Sequence, residues 1–140
     1  MYVIDTDLLS LIQRGGSADA ERVVARIEAV ESDVYVTIVS FEEQMRGWLN
    51  YLSRSSALQH QVEGYPRLYQ LIDDFHLRQV LLFTREAAEQ FQTLRRLHCR
   101  LGTMDLKIAA IAIDRQATVI TRNRRDFGRI GGLQIADWSL

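Results

Sequence analysis

Residues 2–10 read YVIDTDLLS. Tyr2 to Ile4 have the length and β-prone composition of a short buried strand. Asp5 and Asp7 then interrupt the apolar pattern before Leu8 and Leu9 resume it. Carboxylates so close to a core are costly to bury unless something compensates their charge. Whether these two acids are isolated, or the first of a set at strand ends, decides how the rest of the chain is read.

Outward from that stretch, strand-like and helix-like segments alternate. VYVTI (34–38) and QVLLF (79–83) read as strands, ATVITRN (117–123) contains a fourth, and LQIADW (133–138) is expected to supply a fifth. Between them, Ala18 to Val30 has Val23, Ile27 and Val30 in helical phase. A helix is expected from Ser40 to Gln61, with Phe41, Met45, Trp48, Leu49 and Leu52 as its buried stripe. Pro66, the only proline, follows Gly64-Tyr65 and is expected to separate that helix from another over Pro66 to Phe75. Thr84 is placed to cap a helix reaching Leu97. Thr103 to Arg115 is almost wholly apolar and therefore a buried helix. The alternation predicts an α/β fold with a central, mainly parallel sheet of four or five strands flanked by helices.

Bulk properties narrow the class. The 140 residues are 47% hydrophobic, enough for one domain over 1–140, and 25% charged, too ordered a mixture for a disordered tail. Apolar runs are too short to span a bilayer, and the N-terminus lacks the pattern of a signal peptide. Cys99 stands alone, so no internal disulfide framework is possible, and a reducing cytoplasm is the expected setting. The net charge of −1 neither favours nor excludes nucleic acid. Lys107 is the only lysine among 17 basic residues. Arginine suits bidentate phosphate contacts, but compositional bias is the plainer reading.

Acids recur at the strand ends. Asp5 and Asp7 follow the first strand, Glu42 and Glu43 the second, and Asn123 and Asp126 the fourth, while Asp105 opens the buried helix. In open parallel sheets ligands bind outside the carboxyl ends of the strands. Several carboxylates converging there repel one another unless a cation joins them, and hard oxygen donors suit Mg²⁺ or Mn²⁺. Each acid also has a structural reading. Asp5 or Asp7 caps the LLSLI turn, Ser40 and Glu43 form a capping box, Asp105 offsets a helix dipole, and Asp126 pairs with Arg122 or Arg129. His60, His76 and His98 show no metal-ligand spacing, and there is no GxxxxGK phosphate loop. Arg122, Arg124, Arg125 and Arg129 form a candidate phosphate patch.

YVIDTDLLS, VTIVSFEEQMRGWL and DLKIAAIAIDRQATVITRNRRDFGRIGGLQIADW together resemble a PIN-domain protein, specifically a VapC-type toxin of a bacterial toxin–antitoxin pair. The stretch from about Tyr51 to Arg100 matches only in helical character. The resemblance implies a three-layer sandwich and metal-dependent hydrolysis of RNA, with Mg²⁺ or Mn²⁺ held by Asp5, Glu43, Asp105 and Asp126. Thr6, Asp7, Thr121 and Asn123 are then supporting residues, and Arg122, Arg124 and Arg125 contact RNA phosphate. Between the two glutamates, helical phase sets Glu42 at the edge of the expected apolar stripe and Glu43 opposite it, and the register of the resemblance selects Glu43. It also implies a small cognate antitoxin and a homodimer, with no membrane partner.

Two other readings compete. The opening strand followed by DxD is similar to haloacid-dehalogenase-like phosphatases, but Leu9 stands where their motif has threonine, and Lys107 is the only lysine available. A non-catalytic PIN-like binding module, its acids serving only as caps, is the other.

Overall fold

The computed structural model describes residues 1–140. Twelve elements follow in order: β1 (Tyr2–Ile4), α1 (Thr6–Arg14), α2 (Ala18–Ala29), β2 (Val34–Thr37), α3 (Ile38–Ser53), α4 (Leu58–His76), β3 (Val80–Leu81), α5 (Arg85–Leu97), α6 (Thr103–Asp114), β4 (Thr118–Ile120), α7 (Arg124–Phe127) and β5 (Gln134–Ala136). The strands make one sheet in the order β3-β2-β1-β4-β5, with every neighbouring pair parallel. The expected α/β fold and its fifth strand are present, and the sheet is parallel throughout.

Strand alternation divides the core. Val3 and Val119 turn to one face, where they pack with Ala87 and Leu94 of α5 and the buried Leu106, Ile108, Ala109 and Ile111 of α6. Ile4, Val36 and Ile120 turn to the other, against Leu8 and Leu9 of α1, Val23 of α2, and Leu71 and Phe75 of α4. The result is three layers with the sheet in the middle. β2 and β3 lie to one side of β1 and β4 and β5 to the other. The strand order therefore reverses between β1 and β4, where such sheets open a crevice.

Three local expectations are corrected. The helix from Ser40 does not run to Gln61. It starts at Ile38 and stops at Ser53, and α4 begins at Leu58. Ser53 donates to the Asn50 carbonyl and Ser55 accepts the Ala57 N–H, while Gln61 reaches back to the carbonyl of Leu52 (3.0 Å), which the helix end leaves open, and to that of Ser55 (2.7 Å) in the turn.

Pro66 does not separate helices; it lies inside α4. Val62, whose carbonyl the proline cannot serve, is exposed, as is Pro66 itself, so water is available to that acceptor. The neighbouring Gly64 lets α4 approach α3, since a Cβ there would stand 2.4 Å from Leu52 Cδ2.

The α3 stripe is shallower than its periodicity implied. Phe41, Met45 and Trp48 are only partly buried, and Leu49 is 47% exposed. α3 lies over the edge of the core rather than its centre, and its fully buried residues are Val39 and Ser40 at the first turn.

Candidate functional site

Asp5 leaves β1 at the reversal point and is 4% exposed. It is the N-cap of α1: its Oδ1 accepts from the Leu8 N–H at 2.9 Å. Its Oδ2 accepts from the Thr121 hydroxyl at 2.5 Å, across to the end of β4. Thr121 in turn accepts the Asn123 N–H at 2.9 Å. Capping and a place at the sheet edge are thus combined in one residue, and each carboxylate oxygen retains a further lone pair.

Glu43 is held from α1. Thr6 donates to Glu43 Oε1 at 2.6 Å, which leaves the buried Ser40 hydroxyl to donate to Thr6 at 2.8 Å. The capping box read from Ser40 and Glu43 is absent. Thr37 caps α3, with its hydroxyl accepting the Ser40 N–H at 3.2 Å. The box failed because the helix starts two residues earlier than its apolar pattern indicates. Glu42 points elsewhere and pairs with Arg46 at 2.6 Å on the outer face.

Asp105 sits half-buried in the first turn of α6. Asn123 caps α7: its Oδ1 accepts the Asp126 N–H at 3.3 Å and its amide donates to Asp126 Oδ2 at 3.1 Å. Neither Arg122 nor Arg129 pairs with Asp126; Arg122 is instead bound to Asp19 of α2 at 3.3 Å. Of the three arginines expected at phosphate, Arg124 and Arg125 are exposed without an ion pair, while Arg122 is engaged elsewhere.

The electrostatics show that these groups feel one another. Burial pushes the Asp5 carboxyl up to about 6; hydrogen bonds from Thr121 and Leu8 oppose that, and the charges of Asp7 and Asp105 add to it. Asp105 is likewise raised to about 6, first by burial and then by repulsion from Glu43, Asp7 and Asp126. Glu43 is raised by burial, against the Thr6 hydrogen bond, with Asp7, Asp5 and Glu42 adding repulsion. None of Asp5, Asp7, Glu43, Asp105 and Asp126 has a cationic partner, whereas Asp19, Asp33, Glu42 and Asp74 all do. Lys107, two residues from Asp105, lies over the rings of Phe83 and Phe91 instead, 5.7 Å from each.

The side chains do not close on a common point: no three His, Cys, Asp or Glu groups stand near enough to hold an ion between them. Their chemistry nevertheless fits a hard divalent cation, being all oxygen, mutually repelling and without a basic side chain to neutralise them.

Sequence reading missed a polar seam that joins α1 to α3. Beyond Thr6, Ser40 and Glu43, the Gln44 amide donates to Ser10 (3.0 Å) and Gln13 (2.7 Å), and Gln13 continues to Asp74 of α4 at 2.8 Å. The available signal was Thr6, Ser10 and Gln13 recurring at helical spacing within an otherwise apolar segment.

Strands that end in acids at the reversal point of a five-stranded parallel sheet define the class. The PIN domain family model matches residues 2–133, and the chain belongs to that family. No curated protein sequence matches it significantly. Among solved structures it is similar to VapBC bound to DNA from Salmonella typhimurium (24% identity, 98% of this chain and 97% of that one, TM-score 0.75). It is also similar to VapBC-1 from nontypeable Haemophilus influenzae (21%, 99% and 98%, TM-score 0.75) and to a toxin–antitoxin complex from Klebsiella pneumoniae (20%, 99% and 98%, TM-score 0.70). At these identities the likeness is one of fold.

Proposed function

We propose that this chain is a single PIN domain acting as a metal-dependent endoribonuclease, the toxin of a toxin–antitoxin pair. The observation that carries the reading is the gathering of unpaired carboxylates, Asp5, Glu43, Asp105 and Asp126, at the crevice of a PIN fold. These four are the residues that would hold one or two Mg²⁺ or Mn²⁺ ions. Such an ion supplies Lewis acidity toward a phosphodiester and lowers the pKa of a bound water. Thr121 and the Leu8 N–H fix the Asp5 carboxylate, and Thr6, itself oriented by Ser40, fixes Glu43. Asn123 holds Asp126 in place from α7. Asp7, exposed at the rim, adds to the negative field. Carboxyls raised to about 6 release protons as a cation binds, so affinity for the ion rises with pH through that range.

The fold likeness to VapBC and toxin–antitoxin complexes supports a small cognate antitoxin as partner and a cytoplasmic setting. Homodimer formation is supported by α4. Leu58, Val62, Tyr65, Tyr69 and Ile72 recur along it at alternating four- and three-residue steps and are 57% to 80% exposed. No helix is long and apolar enough to cross a membrane.

The test is cleavage of RNA by the purified chain in Mn²⁺ or Mg²⁺, in EDTA, and by Asp5→Asn. Cleavage that needs the metal and disappears in a folded Asp5→Asn protein supports the reading. Equal cleavage in EDTA points to another mechanism.

A further inference from the structure

A second feature lies beside the carboxylates. A cleft of about 870 Å³ opens between α1, α3 and α4, lined among others by Arg14, Gln44, Gly47, Trp48, Arg54 and Arg67. None of the three arginines has an ion pair, and the one acid in the lining, Asp74, is already bound by Arg78 and Gln13. Arg67 lies over the Trp48 ring, 5.7 Å from its centroid. The cleft is therefore cationic, with a guanidinium held over an indole on one wall.

Its position follows from helix geometry. Asp7 and Arg14 lie seven residues apart on α1, which places them on one face about 10 Å apart along the axis. Glu43 and Arg54 lie eleven residues apart at α3 and its C-cap, again on one face and about 16 Å apart. The polar seam from Thr6–Glu43 to Gln13–Gln44 ties α1 to α3 where the two helices meet. Each helix thus leads from the acids at its start to an arginine at its end, and both arginines line the cleft.

Gly47 supplies an independent sign. A glycine inside a helix costs about 1 kcal/mol relative to alanine. Gly64 has a packing reason for being glycine; Gly47 has none, because nothing lies within 4 Å of where its Cβ would stand. What its missing side chain leaves open is the cleft.

We infer that this cleft binds the flank of a single-stranded RNA, its phosphates on Arg14, Arg54 and Arg67 and a base against the Arg67–Trp48 platform. The inference rests on the nuclease reading for its ligand. A polyanion approaching clustered carboxylates needs cations a few nucleotides away, and guanidinium and indole planes are the surfaces on which unpaired bases stack. The largely polar lining and open arginines disfavour an apolar peptide helix.

The experiment is fluorescence anisotropy of the full chain with a fluorescein-labelled single-stranded RNA of about ten nucleotides, without divalent metal. The parent is expected to bind. Gly47→Leu, whose Cβ meets open space and which gains helix propensity, should keep or raise its melting temperature while losing about tenfold or more in affinity, the scale of one lost base stack. The triple substitution Arg14→Ala, Arg54→Ala, Arg67→Ala should flatten the dependence of log K on log salt by up to about 2, at ~0.7 per phosphate. Unchanged RNA affinity in both variants, or no binding by the parent, overturns the inference. Loss of a labelled oligoglutamate peptide with RNA affinity untouched overturns it in favour of an acidic protein segment. Mn²⁺-dependent cleavage is scored separately. A parent that binds through the cleft but never cuts refutes the nuclease reading alone, and one that cuts while the cleft variants bind normally refutes the cleft alone.

Discussion

Replacing Asp5 by asparagine should change the sign of its effect on stability with pH. The Asp5 carboxyl is raised from 3.8 to about 6 in the folded protein, chiefly by burial. A raised acid binds its proton more tightly folded than unfolded, so its contribution to stability is complete below 3.8 and falls as pH rises. The loss is complete above about 6. Roughly two pKa units correspond to about 3 kcal/mol of stability lost between those limits, as an upper figure. Asparagine has no charge to desolvate and still accepts the Leu8 N–H as an N-cap. What it cannot do is accept the Thr121 hydroxyl where the carboxylate did, a loss of about 1 kcal/mol. The variant should therefore be about 2 kcal/mol more stable than the parent at pH 8 and about 1 kcal/mol less stable at pH 3.5. Urea melts in EDTA, at half-unit steps from pH 3.5 to 8, give the two curves. They should cross between 3.8 and about 6. A difference that stays constant over the whole range would show that burial of the Asp5 charge is not what sets these energetics.

Four further outcomes follow from the same geometry. Glu43→Gln should abolish metal-dependent RNA cleavage with the fold retained, whereas Glu42→Gln, which loses only an exposed pair with Arg46, should stay within about 0.5 kcal/mol of the parent in stability and cleave normally; the reverse pattern in parallel cleavage assays overturns the assignment. Saturating Mn²⁺ should raise the parent's melting temperature, by about 2.7 kcal/mol of stabilisation at a hundred times Kd, and should leave Asp5→Asn nearly unmoved, read by thermal melts with and without EDTA. Phe127→Ala, at a 1% exposed core position of α7, should cost about 3–5 kcal/mol and also weaken the Mn²⁺ response because α7 carries Asp126; a destabilised protein with an unchanged Mn²⁺ response would separate α7 from the site. Tyr69→Glu, on the exposed stripe of α4, should convert a dimer into a monomer in light scattering with the monomer fold intact, and an unchanged mass would move the interface elsewhere.

Much of this molecule is written in local pattern. The apolar run before Asp5, the 3.6-residue phase of Ala18 to Val30 and the largely apolar stretch from Thr103 to Arg115 each report a neighbourhood that the chain creates within a few residues. From these the strands, the buried α6 and the acids at strand ends were legible. Local pattern failed where two elements compete for the same groups. Ser53 and Ser55 help end α3 while Pro66 fails to end α4, because the stop depends on Gln61 reaching back and on which face of α4 meets water. It also could not show that Asp5 is at once a cap and a member of a cluster. Its two hydrogen bonds come from Leu8, three residues away, and Thr121, 116 residues away. Phase set Glu43 opposite the apolar stripe without deciding whether that side meets water or a cleft; Thr6, 37 residues away, holds it on the side of α1. The same holds for Arg122, captured by Asp19 from a sequence distance of 103. A residue's own periodicity encodes which side of its element faces the core. Which partner stands opposite is decided by the order of strands in the sheet, and that order places β1 between β2 and β4 for the packing of both cores together.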